Sequence, residues 1–195
     1  MMPLDSISGG CDLKRRIFLT TAAVATAACN RKSSSLRFFT ADEAAILDAW
    51  LDVLIPGDQD PGARQAGVVH YIDLQLTRKF RKLQPAYRSA IAALGRLAVQ
   101  RGAPSYESLS FEARTAIATQ MEQGALDKSL FPDGGKTAFN MVLDHAMQGF
   151  YGSPRHGGNQ DYSSWRMIGI PPMPVRGRQH YDIRDTYPQK APVQG

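Results

Sequence analysis

Two cysteines, at positions 11 and 29, are the only thiols in the chain of 195 residues. That count excludes a disulfide-stapled scaffold, a four-thiolate metal or iron–sulfur site and a Cys-x-x-Cys-His haem attachment. No apolar run approaches 18 residues, so a conventional membrane-spanning helix is excluded as well. There is no Gly-x-Gly-x-x-Gly fingerprint for a dinucleotide and no Gly-x-Ser-x-Gly elbow for a nucleophile. The four histidines (70, 145, 156 and 180) fall at no metal-ligand spacing. A dense basic stripe interleaved with stacking aromatics is also missing, which argues against nucleic acid as a partner. What remains is an ordinary globular composition, 43% hydrophobic and 21% charged, in a length that suits one domain with an appendage.

Lys14, Arg15 and Arg16 precede an uncharged, Ala- and Thr-rich stretch from Ile17 to Cys29. A charged segment, a short apolar segment and small residues make an export signal over residues 1–29. Arg15-Arg16 followed by Phe18 and Leu19 resembles the twin-arginine export motif, with Lys14 where Ser or Thr is usual. That route carries proteins already folded. The order Thr26-Ala27-Ala28-Cys29 resembles a degenerate lipobox, which would place a lipid on Cys29; ordinary cleavage after Ala25-Thr26-Ala27 is the alternative. Leaving out residues 1–29 takes away three basic and two acidic residues and leaves a formal charge of +4.

Residues 30–39 read as a polar spacer ending in an aromatic pair, and residues 40–150 as a helical domain. Thr40 and Glu43 have the spacing of a capping box, and Leu47, Trp50, Leu51 and Leu54 follow at helical intervals until Pro56-Gly57. A second helix is predicted over 63–82, with Val69, Ile72, Leu76 and Phe80 inward. A third starts near Pro85 and runs through Tyr87, Ile91 and Leu94 to Arg101, where Gly102 ends it. A fourth spans 110–122 with Phe111, Ile117 and Met121 buried. Asp133 caps a fifth, whose face is Phe139, Val142, Leu143, Ala146, Met147 and Phe150. No segment alternates like a strand. The expected fold is therefore all-α: an irregular bundle of about five amphipathic helices.

Residues 151–195 hold six of the twelve prolines yet carry Tyr151, Tyr162, Trp165, Ile168 and further large side chains. An extended segment of that kind covers its own domain or wraps a partner. Gly135-Lys136-Thr137 suggests a phosphate loop, but Leu130 stands where its first glycine belongs, so a capping turn is the better reading. Asp58 and Asp60 lie in a Gly/Pro loop and read as turn residues. His70 and Asp73, one turn apart, read as a surface pair, and His145 beside Asp144 as a hydrogen-bonded boundary residue. The basic run Arg78, Lys79, Arg81, Lys82, Arg88 reads as a solvated face or a dock for an acidic partner. No set of residues reads as catalytic, and none as a cofactor or metal site.

Leu54-Ile55-Pro56, Pro61-Gly62, Ala66-Gly67-Val68 and Tyr71-Ile72-Asp73 resemble the opening of the gluconate 2-dehydrogenase subunit 3 family. Gly149-Phe150-Tyr151-Gly152, Gly157-Gly158-Asn159, Trp165-Arg166-Met167-Ile168-Gly169 and Pro171 resemble its tail, over 40–172 in all; Pro172 stands where members commonly have glycine. The resemblance implies a noncatalytic small subunit of a periplasmic or membrane-associated sugar or polyol dehydrogenase. Its large partner would be an FAD-dependent flavoprotein of the glucose–methanol–choline type, with haem c in a third, multi-haem cytochrome c subunit of some complexes. The small subunit would act as folding chaperone, as escort of the folded flavoprotein to the twin-arginine translocase, and as structural clamp. Phe150, Tyr151, Gly157, Gly158, Asn159, Tyr162, Trp165 and Ile168 are the expected partner interface. The alternatives are a small exported helical enzyme and a stand-alone periplasmic ligand-binding lipoprotein.

Overall fold

The computed structural model describes residues 36–170, and these form an all-helical bundle with no strand among the described residues. Six α-helices follow in order: α1 Ala41–Leu54, α2 Val68–Leu76, α3 Gln84–Gln100, α4 Phe111–Gln123, α5 Lys136–Tyr151 and α6 Ser163–Met167. Single 3-10 turns lie at Arg81–Leu83, Pro154–His156 and Gln160–Tyr162. The expected export signal, with Arg15, Arg16, Phe18, Leu19 and Cys29, and the tail beyond residue 170 lie outside the described residues.

The helix starts follow the local chemistry of the sequence. Thr40 and Glu43 form the reciprocal capping box at α1, each side chain taking the other's backbone N–H, at 3.2 and 2.9 Å. Pro85 occupies the first turn of α3, where its missing N–H costs no helical bond. Ser110 caps α4 by accepting from Ala113 N. Asp133 accepts from the N–H groups of Gly135 and Thr137 at 3.0 and 2.7 Å ahead of α5. These bonds, Thr137 first, hold its carboxyl below the usual carboxylate range.

α5 packs against α2 and α4, while α1 packs against α2, α3, α4 and α5. The core between them includes Trp50, Leu51, Ile72, Leu76, Tyr87, Leu94, Ile117, Met121, Val142 and Phe150, all nearly or wholly buried. Two side chains expected inside are not: Phe111, in the first turn of α4, is 41% exposed, and Met147 on α5 is 43% exposed. Periodicity places a side chain on a face but does not say how far round the helix its neighbours reach.

The predicted second helix over 63–82 is instead a turn, a nine-residue helix and a second turn. Gly67 sits in the left-handed region at φ +66°, a conformation glycine adopts without steric cost, and this breaks the helical run before Val68. At the other end the chain turns over 77–80, with Phe80 N donating to Gln75 O, which carries Phe80 back onto α5. Val68 rather than Val69 is fully buried as a result.

Residues 36–39 are part of the domain rather than spacer. The Asp73 carboxylate, 3% exposed, accepts three consecutive backbone N–H groups, from Arg37 (2.6 Å), Phe38 (3.0 Å) and Phe39 (2.9 Å). Asp73 is thus a buried anchor for the entering chain, not half of a surface pair with His70. Phe39 is buried against Tyr87, and Arg88 lies over the Phe38 ring while pairing with Glu43.

Candidate partner-docking surface

The tail from 151 to 170 does not run extended; it folds into short helical turns against the domain. Asn159 is fully buried and holds the turns together: its Nδ2 donates to Gly152 O at 2.9 Å and its Oδ1 accepts from Ser164 N at 3.0 Å. The Ser164 hydroxyl donates to Phe150 O, and the Trp165 indole N–H donates to Tyr151 O at 2.7 Å. Gln160 N donates to Ala66 O, and the Gln160 side chain fills the space over Gly67, where any Cβ would lie 2.3 Å from its amide nitrogen. A Cβ on Gly158 would lie 2.2 Å from the Gly149 carbonyl oxygen, so the tail crosses α5 at backbone contact. The break in the second predicted helix and the Gly-Gly-Asn of the tail are two halves of one joint.

The expected interface residues therefore divide. Phe150, Gly158 and Asn159 are buried in the chain's own packing and present no surface, and Gly157 is half-buried over the His70 carbonyl. Tyr162 and Trp165 are half-buried with their rings 5.8 Å apart. Tyr151 and Ile168 are 40% and 46% exposed. Sequence reasoning missed Met147 and Ile170 as surface, at 43% and 41%. Met147 and Tyr151 are four apart on α5, hence neighbours on one face, and Ile170 N donates to the carbonyl of Trp165. Four of the six exposed large apolar side chains among the described residues thus lie on the last turns of α5 or at the end of α6, whose Trp165 is bonded to Tyr151. Exposed apolar side chains close together, more than scattered ones, make a candidate docking surface.

Several titratable residues singled out in the sequence have structural partners. His145 is buried, stacked on Phe80 at 3.9 Å, with its Nδ1 2.8 Å from the Tyr87 hydroxyl. Burial lowers the His145 pKa, and burial pushes the Tyr87 hydroxyl far up, so both stay neutral near pH 7. Asp58 accepts from Asp60 N at 2.9 Å as a turn residue. Asp133 spends its oxygens on α5, which accounts for the Gly135-Lys136-Thr137 sequence. Among the described residues no group of three or more His, Cys, Asp or Glu could hold a metal ion, and no helix is long and apolar enough to cross a membrane.

The described residues thus define an all-helical domain with large apolar side chains exposed around the end of α5 and along α6. The chain belongs to the gluconate 2-dehydrogenase subunit 3 family, whose model matches residues 41–172. No curated protein and no solved structure matches the chain. Membership agrees with a small accessory subunit of a dehydrogenase complex, associated with a larger flavoprotein subunit.

Proposed function

We propose that this protein is the noncatalytic small subunit of an exported sugar or polyol dehydrogenase, and that it folds with, escorts and clamps an FAD-dependent large subunit. The observation carrying this reading is the patch of Met147, Tyr151, Ile168 and Ile170. It is apolar, and it stands on a tail whose hydrogen bonds tie it to its own domain. A preorganised surface of that kind loses little freedom on binding. The FAD and the oxidation chemistry belong to the partner, with a cytochrome c as onward electron carrier. Arg15 and Arg16 would send the folded pair through the twin-arginine translocase to the periplasm, and Cys29 is the candidate lipid attachment.

The test is association. Tyr151→Ala with Ile168→Ala removes two exposed anchors and should cost about 2 kcal/mol of binding to the large subunit, roughly thirty-fold in Kd. The helical circular dichroism of the isolated subunit should be unchanged. Undiminished affinity in the folded double variant would remove the patch from the interface. Trp165→Ala is a mixed variant, because the indole also donates to Tyr151 O and holds the tail.

A further inference from the structure

A second surface lies away from the patch, between the first turns of α3 and the first turns of α5. It is a groove of about 350 Å³ walled by Ala86 and Ala90 on one side and Ala138 and Met141 on the other, with Phe131 and Pro132 at its far end. The small residues on both walls leave room for another chain to lie close. At the near end both walls lead to the same place. Lys82 is one turn ahead of Ala86, and Met141 is one turn ahead of His145, which stacks on Phe80 and meets the Tyr87 hydroxyl. Beyond the groove at that end, one helical turn past Ala86 and Met141, lies the turn carrying Arg78, Lys79, Arg81 and Lys82.

All four of these cations are exposed, and none forms an ion pair among the described residues. Lys79 is close enough to the Phe80 ring, 5.8 Å, for a weak cation–π contact. Acid is scarce around them: residues 74–106 contain seven Lys or Arg and no Asp or Glu, and the carboxylate that α5 brings to this end is Asp144, beside His145, which makes no ion pair with any of the four. The one carboxylate lining the groove, Asp133, is at the opposite end and accepts from two backbone N–H groups ahead of α5. An apolar trough leading to an end with four cations against the single carboxylate of Asp144 selects a ligand of the opposite polarity pattern.

We infer that this groove docks an apolar segment of the large subunit that is flanked at one end by Asp or Glu side chains, the acids meeting Arg78–Lys82 and the apolar residues lying between α3 and α5. The inference rests on the reading of this chain as a small subunit, and it adds a second contact on a face of α5 different from the patch.

Two variants of the full mature chain test it against the purified large subunit. Arg81→Glu with Lys82→Glu should weaken binding at least tenfold at low salt. The deficit should shrink at about 1 M salt, where the Debye length is about 3 Å. Ser89→Trp, at an exposed position lining the groove, should weaken binding about tenfold at any salt by filling the trough. Affinities within twofold of wild type for both variants would overturn the inference while leaving the subunit reading intact. Loss of binding to phosphatidylglycerol vesicles in the charge-reversal variant, with large-subunit affinity unchanged, would overturn it in favour of a membrane-facing turn. A lowered Tm of the isolated Ser89→Trp subunit with unchanged affinity would show that this chain fills its own groove, and would also overturn it. If the wild-type chain and the large subunit do not associate at all, the subunit reading falls first.

Discussion

Asn159→Ala removes the side chain that fixes the tail. The Ser164 N–H, fully buried, loses its acceptor, and an unsatisfied buried donor costs about 1–3 kcal/mol. The Gly152 carbonyl is only half-buried, so water can replace the lost amide at about 0.5 kcal/mol. Asn159 also has φ +45°, a left-handed conformation that asparagine tolerates and alanine pays for at about 1 kcal/mol. Together these come to about 3 kcal/mol, a substantial part of the roughly 5–15 kcal/mol that holds a domain folded. Asn159→Gly keeps the two lost hydrogen bonds lost but relieves the backbone term, and should be about 1 kcal/mol milder. The loss can be local, freeing 154–170 while the bundle stays folded. Hydrogen exchange resolved at the Ser164 and Ile168 amides is therefore the assay, with thermal melting alongside. Both amides should exchange roughly a hundredfold faster in Asn159→Ala than in wild type. Exchange within threefold of wild type and an unshifted melt would refute the view that Asn159 locks the tail to the core.

Asp73→Asn weakens the hold on Arg37, Phe38 and Phe39, because an amide has one acceptor oxygen where the carboxylate has two. Denaturant titration should report a loss of about 2 kcal/mol, and an unchanged midpoint would show that the anchor is dispensable. His145 has its folded pKa lowered from 6.5 by burial, so the unfolded state binds the extra proton first. Its contribution is complete above about pH 6.5 and is lost as pH falls through that value to the folded pKa. The wild-type Tm should drop across that window, and His145→Gln should flatten the profile; parallel profiles would assign the acid sensitivity elsewhere. Arg15→Lys with Arg16→Lys should leave the chain and its bound flavoprotein in the cytoplasm. Undiminished periplasmic dehydrogenase activity in that strain would end the escort role.

Helix starts and core faces were legible because they depend on neighbours three and four residues apart. The Thr40–Glu43 box and the Val142–Ala146–Phe150 stripe are both of that kind. The break at Gly67 was not, since Ala63 to Lys82 carries a continuous helical period and the interruption accommodates Gln160, more than ninety residues later. Asp73 misled for the same reason: its partners are 34–36 residues upstream and are backbone amides, which no side-chain pattern announces. Within the tail, large side chains on a Gly/Pro-rich backbone pointed to packing, but not to which side of each residue faces inward. Phe150 and Asn159 turned to the core, while Tyr151 and Ile168 remained on the surface. The family motif did mark both halves of the joint, Ala66-Gly67-Val68 and Gly157-Gly158-Asn159, though as a resemblance and not as a contact.

The most direct measurement is a purification of the mature chain with and without a co-expressed large flavin-type oxidoreductase subunit, followed by absorbance and dehydrogenase assay of each peak. The chain alone should be colourless and inactive. With its partner it should elute as one complex carrying the flavin spectrum and the activity. A flavoprotein that elutes apart from the chain and stays fully active, or a chain that carries its own stoichiometric chromophore, would contradict the account.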